Sequence, residues 1–418
     1  MQTLRAAGHN ALFAGGCVRD ELLGLHPTDY DVATSAAPPQ VRRLFSSVHE
    51  VGEAFGVMLV TLDSTTVEVA TFRTDGRYTD NRRPDAVTFT DDRADAARRD
   101  FTVNALFLDP LADAGPARSP LGGRIIDYVG GLADLEARII RAVGDADARL
   151  DEDHLRALRA VRFAARLGFR IDPATADAVR AHASQLKGVS RERIGEELRR
   201  MLTHPARAGA AGLLQSLTLD APALNGPSVQ TPTVTLAALP GSAPYTTALA
   251  AWLIDRHGLG ALTGPGSAPA LRAKGGGAGL AQTILSQVRN ALCLTNMERD
   301  EVADLLTCLG DLMGKWFERS VAGRKRWASR PGFVHALSCL APHHPEAAAR
   351  AGEMVRQLQG DGIGLHPPLL VDGDDLIGLG FKPGPVFKAL LDRLYDEQLE
   401  GRLKTKGEGL ELAKVWGV

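Results

Sequence analysis

The rhythm of hydrophobic and polar positions changes along the chain. Up to residue 145, short runs rich in Val, Thr and Phe alternate with turn residues: Ala11–Ala14, VMLVTL (57–62), TVEVATF (66–72) and AVTFT (86–90). Runs of this length and composition predict strands. From 146 to 207 the apolar positions recur at helical spacing, as in HLRALRAVRFAARLGF and ERIGEELRRML, and the breakers are Gly168, Pro173 and Gly188. Residues 221–246 are rich in Pro, Ala, Thr and Ser, and 263–279 read TGPGSAPALRAKGGGAG. Both predict loops or linkers. The remainder, from about 280 to 418, returns to helical spacing with short Gly and Pro interruptions. The class expected is α+β, an α/β head over 1–145 followed by a helical body.

Composition narrows this only a little. A chain of 418 residues holds two or three domains on a soft prior of about 150 residues each. With 44% hydrophobic and 23% charged residues it is ordinary globular protein, not disordered chain or collagen. No stretch nears the ~18 consecutive apolar residues of a spanning helix. The opening MQTLRAAGHNALFAGGCVRD has a short apolar patch that runs straight into Arg19 and Asp20, unlike a signal peptide. Cytoplasm is the default compartment. Cys17, Cys293, Cys308 and Cys339 are scattered, so the cysteines indicate neither a zinc site nor a disulfide framework. Net charge is −2, yet residues 149–207 carry twelve Arg and one Lys against eight acids, a local excess of +5. A second basic group gathers Lys382, Lys388, Arg393, Arg402, Lys404 and Lys406. Each is either a solvated face or part of a phosphate-tracking surface.

The chemistry concentrates near the amino end, in AGGCVRDELLGLHPTDYDVAT (14–34). A strand runs into Gly15-Gly16 and then into a helix. Glycines at that turn let the backbone approach a phosphate, and a helix N-terminus favours its negative charge. Asp29 and Asp31 then precede a short strand. Residues i and i+2 of a strand share a side, and two carboxylates there repel each other unless a cation intervenes. Hard oxygen ligands with room for phosphate oxygens suit Mg²⁺. Glu68, between Val67 and Val69, projects opposite to the valines and is a candidate third carboxylate; the alternative is an exposed strand acid. ARRDFTVNAL (97–106) adds guanidinium groups for phosphate and the Asn104 amide for a sugar hydroxyl. In DEDHLRALRAVRFAARLGF (151–169), Asp153, Arg156, Arg159 and Arg162 step by three, which places the first three on one broad side of a helix. A carboxylate accepts from an exocyclic amine, and a guanidinium donates to a ring nitrogen or carbonyl. Cytosine and adenine share that amine-beside-nitrogen edge; uracil and guanine reverse it. One Asp with one Arg could thus accept C and A and reject U and G without a template; the alternative is that these side chains simply form salt bridges within the helix.

GGxVRD, DxD, RRDFTxNA and EDxxRxxRAxRFAxRLGF, in this order, resemble the class II tRNA nucleotidyltransferases and bacterial poly(A) polymerases, of the DNA polymerase β-like superfamily. The likeness covers residues 10–200 closely, and DLIGLGFKPGPVFKALLDRLYDEQLEGRLKTKGEGL (375–410) is similar to the tail of the CCA-adding members. The resemblance implies a nucleotidyltransferase head (1–145), a neck that reads the base (146–207), a body (208–365) and an RNA-binding tail (366–418). It implies catalytic Mg²⁺ on Asp29 and Asp31, with Glu68 as a further catalytic carboxylate. Gly16, Arg19 and Arg99 would meet the triphosphate, Asp153 and Arg156 the base edge, and Arg159 and Arg162 the rest of the nucleotide pocket. The reaction implied is addition of C and A from CTP and ATP to the 3′ end of tRNA.

The alternatives are a CC-adding or A-adding specialist, a poly(A) polymerase, and a non-catalytic RNA-binding module on the same fold. RTDGRYTDNRRPDAVTF (73–89) resembles the flexible loop needed for the terminal A, which speaks against CC-only addition. Bacterial poly(A) polymerases often carry a long basic tail, and the tail here holds only a modest basic cluster. No His-Asp dipeptide occurs, so the metal-dependent phosphohydrolase domain found in some relatives is not expected. Both carboxylates of the DxD are present, which argues against a non-catalytic module.

Overall fold

The computed structural model describes residues 1–27, 29–52, 56–63, 65–76, 86–113, 122–263 and 280–416. Two expectations fall outside that set: residues 77–85 of the 73–89 loop, and the glycine-rich run at 264–279. The chain divides into two units, Met1–Val229 and Gln230–Val418.

The first unit opens on strands β1 (Ala11–Ala14), β2 (Val32–Thr34), β3 (Val48–Gly52), β4 (Val57–Leu62) and β5 (Thr65–Thr71). A ribbon of β6 (Arg73–Asp75) and β7 (Val87–Phe89) follows, then β8 (Phe107–Asp109) and β9 (Arg124–Ile126). The main sheet runs β3-β4-β5-β2-β1-β8-β9. Its pairs are antiparallel except β2 with β5, which run parallel with Val32 opposite Val69. The helices of this part are α1 (Gln2–Ala6), α2 (Gly16–Leu22), α3 (Pro38–Leu44), α4 (Asp92–Ala97) and α5 (Gly131–Ala137).

Period-two alternation gives the sheet two apolar faces. Ala11, Val32, Met58, Val60 and Val69 pack with Leu4 of α1 and Val41 of α3. Leu12, Ala14 and Ala33 pack on the other side with Phe72, Ala96 of α4 and Phe107. The two sides together bury the sheet centre, which is why the strands read as apolar runs with little polar alternation.

Helices α6 (Ala146–Glu152), α7 (Leu155–Leu167), α8 (Pro173–His182), α9 (Arg191–Thr203), α10 (Arg207–Ser216) and α11 (Asp220–Leu224) complete this unit. One expectation is corrected here. Asp153 is not on a helix with Arg156 and Arg159. It adopts extended backbone, φ −151° and ψ 103°, between α6 and α7. Its carboxylate accepts the Leu155 N–H at 3.0 Å and a bond from Arg193 of α9 at 2.6 Å. An acceptor for an orphan N–H at a helix start competes with helical backbone at the Asp itself. The 221–246 stretch is also less irregular than expected. It holds most of α11, a short helix at Val234–Ala238 and the start of the helix Tyr245–His257.

In the second unit every described element is helical. Helix Tyr245–His257 is buried along most of its length, including Trp252. Helix Asn296–Met313 meets Pro331–Leu340 closely: a Cβ on Gly332 would lie 2.6 Å from the Leu305 amide. Trp316 packs on Phe333 with ring centroids 4.7 Å apart. Lys325 is fully buried; its Nζ donates to the Leu399 carbonyl at 2.9 Å and meets Asp361 at 2.6 Å. Toward the end of the chain, Val371, Leu376, Leu390, Leu394 and Ala413 form a cluster of their own. Part of the basic cluster there is already paired: Lys406 with Asp375 at 2.6 Å, Arg402 with Glu397, and Arg393 over the Trp416 ring at 3.8 Å. Among the described residues no helix is long and apolar enough to cross a membrane.

Candidate active site

The parallel β2–β5 register brings the acids together. Val32 faces Val69, so one step back sets Asp31 beside Glu68. Both valines point to the α1–α3 side of the sheet; by alternation Asp31 and Glu68 point to the other, and Asp29, before the strand, lies near enough for its charge to act on Asp31. All three are solvent-exposed at the rim. The protein behind Asp31 nevertheless withholds water and raises its carboxyl above the ordinary range; the Asp29 charge adds to this and Arg99 opposes it. Glu68 is raised too, by the same desolvation first and by Asp31 second, against Arg73. Each acid thus feels a neighbouring negative charge. The donor set is all carboxylate oxygen and lacks sufficient positive charge, which fits a hard divalent cation.

The glycine turn meets this group from β1. Gly15 has φ 76° and ψ −124°, a region open to glycine almost alone. A Cβ there would also lie 2.8 Å from Arg99 Nη1. Arg99 is held by Asp95 at 2.9 Å, donates to the Asn104 carbonyl at 3.2 Å and stacks over Phe107 at 4.9 Å. Its guanidinium therefore rests against the turn, ahead of Gly16 at the start of α2.

Asn104 joins the turn to the helical segment. Its Oδ1 accepts from Arg19, and its Nδ2 donates to Asp100 at 3.1 Å. Both ends of the amide are engaged inside the protein, so the expected bond to a sugar hydroxyl is not open to it in this arrangement. Arg19 is 2% exposed and also binds Asp20 at 2.7 Å; burial lowers its guanidinium below the ordinary value, against Asp20. Asp20 is shared with Arg166 at 2.7 Å. Asp100 takes Arg159 at 2.5 Å and 2.8 Å, and the Phe101 N–H at 2.8 Å. Burial alone would raise Asp100, but the Arg159 charge, then Asn104, hold it down to about 2. Arg19, Arg159 and Arg162 all sit over the Phe163 ring, at 5.0, 5.3 and 4.2 Å. Phe163 is thus the pivot of the arginine group, a role the sequence reading did not give it. The visible signal was an aromatic at i+4 from Arg159 on a helix.

The base-reading candidates sit on either side of the α6–α7 break. Asp153 is fixed by Arg193. Arg156 is bonded by Glu152 and donates to the Arg149 carbonyl at 2.7 Å. Arg162 meets Glu197 at 2.6 Å, and burial lowers it against that pairing. Glu152, Arg193 and Glu197 were not singled out from sequence, since their partners lie on other turns or helices. Arg162, Arg166, Arg200 and His204 line a recess of about 250 Å³ between α7, α9 and α10. The structure thus forms two linked groups: the carboxylates with Arg99, and the arginines around Phe163.

Known proteins are similar to this chain in sequence and fold. Residues 11–141 match the family described as the poly A polymerase head domain, and residues 168–221 the one described as the probable RNA and SrmB-binding site of polymerase A. A CCA-adding enzyme of Geobacillus kaustophilus is 34% identical over 424 residues, covering 98% of this chain and 93% of that protein. One from Geobacillus stearothermophilus is 34% identical over 420 residues, with the same coverage. Among solved structures, the Bacillus stearothermophilus CCA-adding enzyme in complex with CTP aligns with a TM-score of 0.71 at 29% identity, over 99% of this chain and 96% of that one. Likeness at this identity along nearly the whole length, with a polymerase-type head in place, means that the chain belongs to the CCA-adding enzyme family.

Proposed function

We propose that the protein adds C, C and A, without a template, to the 3′ end of tRNA from CTP and ATP, releasing pyrophosphate. The observation that carries this is the meeting of Asp29, Asp31 and Glu68 with the Gly15 turn and Arg99 on one face of the sheet. Cytoplasm is the compartment this substrate implies.

In this reading Asp29 and Asp31, with Glu68 beside them, hold Mg²⁺, which when bound neutralises charge on the reacting phosphoryl oxygens. The Gly15-Gly16 backbone lies against the triphosphate, and Arg99, fixed by Asp95, neutralises part of its charge. Arg19 departs from the sequence expectation. Buried and fully bonded, it acts from behind, bracing Asn104 and Asp20. Asp153 accepts from the exocyclic amine of C or A, and Arg156 donates to the adjacent ring nitrogen. Arg159 and Arg162 complete the nucleotide pocket around Phe163. RNA is gripped mainly through phosphate and shape, because one enzyme must serve many tRNA sequences. A recess of about 600 Å³ that includes Arg180 and Lys187 supplies one such basic surface, mostly within the matched RNA-binding region.

The test uses tRNA transcripts ending before CCA, after C and after CC, each with CTP alone, ATP alone or both. CTP alone should extend the first two to CC, and ATP should complete the third. Asp31→Asn should abolish all three additions while tRNA affinity stays within about twofold. A-only extension would make it an A-adding specialist, and long A tracts on unrelated RNA a poly(A) polymerase. Wild-type turnover by Asp31→Asn would overturn the carboxylate assignment.

A further inference from the structure

A second group of metal-type side chains lies away from the acidic rim. Asp151, near the end of α6, His154, two residues past that end, and His182, the last residue of α8, each offer a ligand atom within 4.8 Å of the others. Asp147 and Asp151 are four apart on α6 and so share a face. His182 Nε2 lies 2.9 Å from Asp147 Oδ1. The two imidazoles stack with centroids 5.4 Å apart and planes 29° apart. His154 is buried and Asp151 exposed, so the group opens to solvent on one side. None of these four side chains takes part in the arrangement proposed for nucleotide addition.

We propose that Asp151, His154 and His182 form a binding site for a zinc-class divalent ion, separate from the carboxylates at Asp29 and Asp31. Two imidazoles with a carboxylate suit zinc and its neighbours, whereas magnesium and calcium prefer oxygen alone. Tetrahedral bonds of about 2.0–2.2 Å put ligand atoms roughly 3.4 Å apart. Side chains already within 4.8 Å reach that by a small rotation, and the exposed Asp151 is free to make it. Asp147 supplies the outer carboxylate that commonly orients a ligating imidazole. The fourth position is left to water. Such an ion would tie α6, the α6–α7 break and the end of α8 together. His154 directly follows Asp153 and precedes Arg156 by two, so the ion would stiffen the base-reading turn. Binding itself does not depend on the proposed reaction.

The test is titration of the full-length, chelator-treated protein with Zn²⁺ in excess Mg²⁺, by calorimetry, with Co²⁺ as a spectroscopic stand-in. One equivalent should bind, and Zn²⁺ should raise the thermal midpoint. His182→Ala and Asp151→Asn should each weaken binding at least tenfold and remove the midpoint shift, with circular dichroism checking the fold. Asp147→Asn should weaken it by about tenfold, the scale of an outer-shell loss. Asp29→Asn/Asp31→Asn should leave the Zn²⁺ equivalent in place. The proposal falls if no Zn²⁺ equivalent binds, if the His182 and Asp151 variants bind as wild type, or if the Asp29/Asp31 variant abolishes binding. Asp151 is exposed, so its variant remains informative should His182→Ala fail to fold.

Discussion

Replacing Asp100 by Asn tests the central network directly. The change keeps the size of the side chain and an acceptor for the Phe101 N–H, and removes the charge that holds Arg159. Lowering a carboxyl from the ordinary 3.8 to about 2 corresponds to about 2 kcal/mol, at 1.36 kcal/mol per tenfold. The loss expected at pH 7 is therefore about 2 kcal/mol. Asp100→Ala should lose more, about 4 kcal/mol, because the Phe101 N–H and the Asn104 amide also lose a partner. The folded carboxyl is the stronger acid, so its contribution is fully present above the unfolded value near 4 and is lost as pH falls toward 2. The gap between wild type and Asp100→Asn should then stay constant from pH 8 to 5 and close only below about 4. All four tryptophans lie beyond residue 229. Denaturant unfolding should be followed by amide exchange or circular dichroism for Met1–Val229, with tryptophan fluorescence as the separate report on the second unit. A gap under 0.5 kcal/mol at pH 7, or one that widens on acidification, would refute the assignment of Asp100 as a buried counter-charge.

Gly15→Ala should cost about 1–3 kcal/mol from its backbone region alone and push Arg99 away, so activity should fall by more than stability; a folded variant with full kcat and Arg99 in place would contradict this. Arg193→Ala frees Asp153 and should raise incorporation of UTP and GTP while tRNA KM holds; unchanged rejection of both nucleotides would count against the role of Arg193. Activity should decline at a higher pH on the acid side than ordinary carboxylates dictate, because Asp31 and Glu68 are both raised and must be ionised to hold a cation; a profile that stays flat down to pH 4 would argue against that. Lys325→Ala leaves a carbonyl and Asp361 unpartnered by it and should destabilise the second unit by about 2–3 kcal/mol, read by tryptophan fluorescence; an unmoved transition would show that the pair adds nothing.

Local pattern made much of this legible. Strand VMLVTL coincides with β4, and the Ala11–Ala14 run with β1, because both are apolar stretches bounded by turns. The face of Glu68 followed from its valine neighbours, which do pack into the core opposite it. The break at Asp153 was hidden because no Gly or Pro marks it. An Asp two residues before a helix is itself a capping signal, and helical spacing alone overrode it. Arginine roles were harder still. Each guanidinium at Arg19, Arg156, Arg159 and Arg162 was read as open to ligand, yet each has a carboxylate partner, and those of Arg159 and Arg162 come from distant segments. Pairings across segments are set by packing, which periodicity does not report.

The lone parallel pair in the head sheet has a consequence for how the protein is made. Asp31 and Glu68 belong to strands that no hairpin can join, and β1 at the centre gains its second neighbour only with β8 at 107–109. A chain emerging from the ribosome cannot complete the acidic rim one turn at a time. On the proposed function, competence to hold a cation there waits until β5 has been made and laid beside β2, so a head cut short of Glu68 is a silent one.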